Sequence, residues 1–247
     1  MTIAPPDPLI ALQRLRALDG ADPAALAEAA PKARWVSLAP GETAIDFGDL
    51  STDVFLVAEG TVRVVLRTTS GQEVIFGDLG AGQFFGEMAA LDGAPRSASV
   101  TALHQTRLCR LPGEAFVDIA LRSPPIGLRL LRMLVGRLRT NDERLVELAA
   151  LPVKLRLGAE LLRLSRRRGE DAAGERVVSP PLPQHVLAAR IGARREAVSR
   201  ELGALARDGL VEVTPRAITL PRPEVLRALI DAELRDAAAR PERLGLP

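Results

Sequence analysis

The stretch Phe84-Phe85-Gly86-Glu87-Met88-Ala89-Ala90-Leu91-Asp92-Gly93-Ala94-Pro95-Arg96-Ser97-Ala98-Ser99-Val100 constrains this chain more than any other. Phe84, Phe85, Met88 and Leu91 are apolar at helix-like spacing, which predicts a short helical turn anchored in a core. Gly86 lets backbone come close to a partner, and the free N–H groups opening the turn are a seat for an anion. Arg96 can hold two phosphate oxygens in a fork, and Ser97 can add a third hydrogen bond. Glu87 when ionised only accepts, so it calls for a hydroxyl donor, and a ribose 2′-OH would serve. Arg/Glu neighbours are usually ordinary surface pairs. Here glycine, glutamate, arginine and serine in this order ask for one small phosphorylated sugar.

This stretch resembles the phosphate-binding cassette of cyclic-nucleotide-binding domains. The pattern F-G-E-[LIM]-[AS] followed by R-[ST]-A is met by Phe85-Gly86-Glu87-Met88-Ala89 and Arg96-Ser97-Ala98. The resemblance implies that Gly86, Arg96 and Ser97 hold a cyclic phosphate and Glu87 the 2′-OH, with Met88 beside them.

The flanking sequence suits such a cassette. Trp35-Val36-Ser37-Leu38, Thr43-Ala44-Ile45-Asp46, Val54 to Leu66 broken at Glu59-Gly60, Glu73 to Leu79 and Ala98 to Leu111 read as short strands. Gly71, Gly77, Gly80 and Gly82 punctuate them, and the whole predicts a rolled antiparallel β-structure. Before it, Met1 to Asp7 reads as a loose start, Pro8 to Leu18 as amphipathic, and Asp22-Pro23 as the start of a short helix.

After the strands, Ser123-Pro124-Pro125 opens a long helix that runs to about Ala149. Leu131, Val135, Leu138, Asp142, Leu145 and Ala149 step by four and three, a heptad seam. Asn141 and Asp142 form a polar break in it. In the resembling family this helix is the dimer interface, and polar residues here touch the nucleotide base from both subunits. Asp142 departs from the Thr-Ser or Thr-Asn of many relatives. A carboxylate beside an amide suits the adenine amino group, which favours cyclic AMP, while guanine donors keep cyclic GMP open.

Leu151 to Arg168 reads as an amphipathic helix, Gly169 to Gly174 as a polar turn, and Arg176 to Leu182 as a strand. From Pro183, two short helices meet at Gly192, a helix-turn-helix pattern. Arg194, Arg195, Glu196, Ser199 and Arg200 fall on the non-core side of the second, where arginines suit guanine and the glutamate suits cytosine. Val211 to Val213 and Ile218 to Leu220 add a hairpin, completing a winged helix. Arg195-Glu196-Ala197-Val198-Ser199-Arg200 meets the pattern R-E-x-V-x-R of the cyclic-AMP receptor protein/fumarate-nitrate regulator family, and the two resemblances together cover most of the chain in that family's order. Glu224 to Ala239 reads as an extra amphipathic helix in a tail that many relatives lack.

The expected fold is therefore α+β: a β-roll over 1–122, a dimerisation helix over 123–150, a winged helix-turn-helix over 151–222 and a helical extension over 223–247. The resemblance implies a homodimeric transcription regulator whose partners are double-stranded DNA, a cyclic nucleotide and RNA polymerase. A regulator of the same build that senses another effector, or binds DNA without one, is the alternative. With Cys109 the single cysteine and His104 and His185 the only histidines, a disulfide framework, an iron–sulfur cluster and a His/Cys metal site are not expected. Cys109, in an alternating strand pattern, reads as a small buried hydrophobe. No nucleophile–base set or Walker-type loop points to an enzyme. A net charge of +2 argues neither for nor against nucleic acid. No signal-like or bilayer-spanning run is apparent, so a cytoplasmic location is expected.

Overall fold

The computed structural model describes residues 8–67, 73–167 and 174–239. The expected loose start at Met1–Asp7 and most of the expected turn at 169–174 lie outside them. The chain forms two compact units that divide between Arg137 and Leu138.

In the first unit, α1 (Pro8–Gln13) and α2 (Pro23–Ala29) precede the strands. Asp22 caps α2 by accepting from Ala25 N at 2.8 Å, with proline at the first helical position as the sequence predicts. The strands are β1 (Arg34–Leu38), β2 (Thr43–Ile45), β3 (Val54–Glu59), β4 (Thr61–Arg67), β5 (Glu73–Gly80), β6 (Phe84–Phe85), β7 (Ser99–Ala102) and β8 (Thr106–Leu111), with α3 (Glu87–Asp92) between β6 and β7. They make two antiparallel sheets, ordered β1-β8-β3-β6 and β2-β7-β4-β5. After them come α4 (Gly113–Arg122), which the strand-dominated sequence pattern conceals, and α5 (Pro124–Ala150).

Strand β3 explains how the layers fit. Its side chains alternate in direction, yet Val54-Phe55-Leu56-Val57 are all buried. Phe55 and Val57 face a core between the sheets with Ile45, Val62, Phe85 and Val100. Val54 and Leu56 face a second core with Leu12, Leu26, Phe84, Phe116, Ile119, Ile126 and Leu130. A continuous apolar run is what a strand covered on both faces needs. The adjacent Phe84 and Phe85 divide the same way. Cys109 is fully buried in the helix-side core, and burial pushes its thiol pKa up to about 12.

In the second unit, α5 ends and α6 (Val153–Leu164) begins after Leu151-Pro152. Helix α6 stops earlier than the sequence reading of 151–168. Arg166–Arg167 instead form a short strand, β9, because they pair with β10 (Arg176–Val178). Strand β10 is shorter than the 176–182 predicted. Helices α7 (Gln184–Ile191) and α8 (Arg195–Arg207) follow, then β11 (Glu212–Val213), β12 (Ile218–Leu220) and α9 (Pro223–Ala238). The four strands are ordered β11-β12-β10-β9. Gly192, at φ +62°, ends α7 in the left-handed region, and Ala193 N reaches back to Ala188 O at 3.0 Å. That closes the helix-turn-helix as a glycine-capped turn. Leu157, Leu161, Leu187, Val198, Leu205, Leu220 and Leu226 form one core. Helix α9 is thus part of this domain's interior: a Cβ on Gly158 of α6 would lie 2.8 Å from Leu226 Cδ1.

Candidate functional site

Phe85, on β6, stacks on Phe55 of β3 at 5.2 Å between ring centroids and 6° between planes, which fixes where the cassette leaves the sheet. Gly86 follows at φ +87° and opens α3. A Cβ there would stand 2.7 Å from both Arg96 Nη1 and Asp53 O, so conformation and space both demand glycine.

The inner face of α3 differs from the sequence expectation. Phe84 and Phe85 are buried as predicted, but Met88 and Leu91 are 47% and 48% exposed. A helix of six residues has only a narrow inner face, and Glu87 and Ala89 occupy it. Met88 instead accepts a long hydrogen bond, 3.6 Å at its sulfur, from the exposed Ser97 hydroxyl.

Arg96 is buried, at 3% exposure. Its Nη1 donates to Gly86 O at 2.9 Å and its Nη2 to Asp53 O at 2.7 Å. Ser51 Oγ accepts from Nε at 3.3 Å and from Nη2 at 3.1 Å. The guanidinium therefore braces the loop between β2 and β3 against the cassette, in addition to any grip on a ligand. Burial lowers its pKa, opposed by the charges of Asp53, Asp49 and Glu87. Asp49, held below the usual carboxylate range by hydrogen bonds from the Ser51 backbone and hydroxyl, lies at the same loop.

Glu87 is 1% exposed. The sequence pairs it with a ligand hydroxyl, and the structure adds Arg137 of α5, whose Nη1 donates to Glu87 Oε1. Sequence reasoning missed Arg137, fifty residues away and one of several arginines on that helix. Glu87 Oε2 is buried and has no hydrogen-bond partner in the described structure. Leaving such an acceptor unmade costs about 1–3 kcal/mol, so the site fits a donor brought by a ligand. Gly86, Glu87, Arg96 and Ser97 thus gather at one loop, with Met88 on its exposed side. Asn141 and Asp142 lie on α5 in the second unit, and both are exposed.

In the second unit Arg194 precedes α8, and Arg195, Glu196, Ser199 and Arg200 occupy its first two turns, all exposed. Val198, Leu202 and Leu205 on the opposite face are buried. Arg200 pairs with its neighbour Glu201 at 3.0 Å while its side chain stays 69% exposed. Such a pair is worth about 0–1 kcal/mol and yields readily to a stronger acceptor. Among the described residues no cluster of His, Cys, Asp and Glu is arranged to hold a metal ion. No described helix is long and apolar enough to cross a membrane.

Residues 35–123 match the cyclic nucleotide-binding domain family, and residues 155–229 match the Crp-like helix-turn-helix domain family. The chain is 35% identical over 184 residues to the cyclic AMP receptor protein of Thermus thermophilus, covering 74% of this chain and 81% of that protein. It is 27% identical over 215 residues to the CRP-like cAMP-activated global transcriptional regulator of Mycobacterium tuberculosis, covering 87% and 96%. Among solved structures its fold is similar to a CooA mutant from Carboxydothermus hydrogenoformans, with a TM-score of 0.70, 21% identity and coverage of 81% and 88%. It is similar also to FixK2 from Bradyrhizobium japonicum, with a TM-score of 0.66, 21% identity and coverage of 80% and 96%. A β-roll domain, a long helix and a winged helix-turn-helix occur in the same order as in that family, and the chain belongs to the cyclic-AMP receptor protein/fumarate-nitrate regulator family of DNA-binding transcription regulators.

Proposed function

We propose that this regulator responds to a cyclic nucleotide and acts as a homodimer. The observation that carries the reading is the buried, partnerless Glu87 Oε2 beside the cassette, an acceptor matched to a ribose 2′-OH. Gly86, Arg96 and Ser97 would hold the cyclic phosphate, with Met88 flanking it and Asn141 and Asp142 meeting the base. Cyclic AMP is the favoured ligand, in keeping with the names of the relatives, and cyclic GMP the competitor. The homodimer is supported by α5, whose Leu131, Val135, Leu138 and Leu145 are 61%, 47%, 62% and 64% exposed along the seam. Apolar side chains in that register bury themselves against a second copy. Double-stranded DNA is the target, RNA polymerase the partner at promoters and the cytoplasm the location.

The test is direct titration with cyclic AMP and cyclic GMP by calorimetry, followed by DNA binding with and without each. Saturable heat and a ligand-dependent rise in DNA affinity are expected. A flat titration with both would overturn the reading. It would favour a regulator with another effector or none, a second reading that the commitment of Arg96 to Gly86, Ser51 and Asp53 keeps in view.

Arg195, Glu196 and Arg200 are the base readers in this proposal. Arg200→Ala is expected to cost about 1–3 kcal/mol and relax preference at one base pair. An equal loss on all sequences would make Arg200 a phosphate contact. Asp142→Ser removes like charges that would face each other across the seam, and is expected to strengthen the ligand-free dimer. Parental sedimentation in every ligand state would make Asp142 a solvated residue only.

A further inference from the structure

The DNA-binding unit holds a buried ionic cluster that neither the cassette nor base reading uses. At its centre Glu160 of α6 is 1% exposed. Its Oε2 accepts from Arg163 Nε at 2.9 Å, and its Oε1 from Arg190 Nη1 of α7 at 3.4 Å. Arg144 of α5 brings Nη2 to 3.9 Å from Oε2. Arg163 also forks onto Glu147 of α5, with Nη1 to Oε1 at 2.6 Å and Nη2 to Oε2 at 2.9 Å. Burial works against the Arg163 charge but is outweighed by the two carboxylates, which raise its pKa.

Two further links run the same way. Arg156 of α6 donates to Ile191 O, at the end of α7, at 3.0 Å. Leu148 of α5 lies against the turn glycine, so that a Cβ on Gly192 would come 3.1 Å from Leu148 Cδ2. Arg144, Glu147 and Leu148 share one face of α5. Each of these links from that face lands on α6 or on the turn before α8, and Glu160 continues to α7.

Apolar packing is non-directional and lets helices slide. A buried carboxylate among guanidiniums does not, because a shift that leaves Glu160 unpaired strands a charge away from water. Apolar residues would hold these helices together at least as well, so the charges are better suited to setting one orientation than to adding stability.

We propose that Glu160 is a positioning residue for DNA recognition: through Arg163, Glu147 and Arg190 it fixes the helix-turn-helix in one orientation on the last turns of α5. That movement of α5 starts from a bound nucleotide rests on the function proposed above. The fixing of α8 does not.

The test uses spin labels on Glu143→Cys and Arg207→Cys in the full chain, both exposed positions, mixed with excess unlabelled chain so that a dimer carries one labelled protomer, with the pulsed-resonance distance between the two labels read out. Cys109, buried with its thiol pushed up to about 12, stays unlabelled. Two variants are compared with the parent. Glu147→Gln cuts the fork from α5 and leaves Glu160 its pairs with Arg163 and Arg190, while Glu160→Gln removes the centre. The parent should give one narrow distance, and each variant should broaden it measurably as the orienting charges are lost. The nucleotide-dependent gain in DNA affinity, on the order of 5–150-fold for a coupling of ordinary size, should fall toward one in both. If Glu160→Gln does not fold, Glu147→Gln decides alone. Parental width in the folded variants overturns the proposal, even with a lowered melting temperature, since that is the signature of a merely structural role. If the parent binds no nucleotide, the functional reading fails while the label distances still decide on Glu160.

Discussion

Arg96→Ala is expected to abolish measurable cyclic-nucleotide binding and also to loosen the cassette. Charge-assisted hydrogen bonds contribute about 1.5–3 kcal/mol each, so loss of a two-pronged grip on phosphate, made by exchanging the two bonds to Ser51 Oγ for phosphate oxygens, weakens affinity by about 10²–10⁴-fold. The second effect follows from burial. Truncation deprives Gly86 O, Asp53 O and Ser51 Oγ of their donor, and each acceptor left dry costs about 1–3 kcal/mol. Backbone bonds from Gly48 N to Arg96 O and from Arg96 N to Asp49 O persist, so the loop is weakened and not released. Ser97→Ala is the control. Among the described residues its hydroxyl has only the Met88 sulfur at 3.6 Å, so Ser97→Ala should weaken binding and leave melting unchanged. Calorimetric titration and thermal unfolding of both variants check this. Retained affinity in Arg96→Ala would sink the cassette assignment.

Ending the chain after Arg222 is expected to unfold the DNA-binding unit. The truncation removes Leu226, fully buried, and Ile230, 7% exposed, together with Leu234, which packs on the same core. Burying side chains of this size contributes about 1.5–3 kcal/mol each, so the loss is on the order of 5 kcal/mol. That rivals the whole stability of an ordinary domain, about 5–15 kcal/mol. The hydrogen-exchange pattern should show α6 to α8 unprotected and the strands of the first unit still protected, with DNA binding gone. Parental protection in α8 and parental DNA affinity would show α9 to be dispensable.

The same helix marks where the sequence stops being informative. Its apolar period was plain, but the surface it covers was not, because the cue is a single glycine at position 158, sixty-eight residues before the leucine it admits. The cassette was legible because its constraints are local: Gly86 needs its positive φ, and Phe84 and Phe85 begin a turn between two cores. The helix-turn-helix was legible through Gly192 for the same reason. Met88 and Leu91 misled because periodicity says which residues share a face and not how much of that face a six-residue helix can bury. Helix α4 was hidden by its position, where the last strand residue Leu111 runs almost directly into Ala115 and Phe116. Arg137 could not be singled out among Arg129, Arg132, Arg139 and Arg144, since what distinguishes it is a carboxylate far away in the chain. The Arg166-Arg167 pair continues a helical pattern and becomes strand only because β10 lies beside it.

The geometry at Gly86 bears on how a descendant of this protein could change its ligand. Removing Arg96 would clear one of the two atoms that stand 2.7 Å from a would-be Cβ, but the other is the Asp53 carbonyl, which every residue carries, and φ would remain +87°. The glycine is thus demanded by the path of the chain whether or not a phosphate ever arrives. A lineage that abandoned nucleotide sensing would keep Gly86 long after Glu87, Arg96 and Ser97 had drifted. In a related sequence the glycine therefore testifies to the shape of the roll, and only the charged and hydroxyl side chains around it testify to what the roll holds.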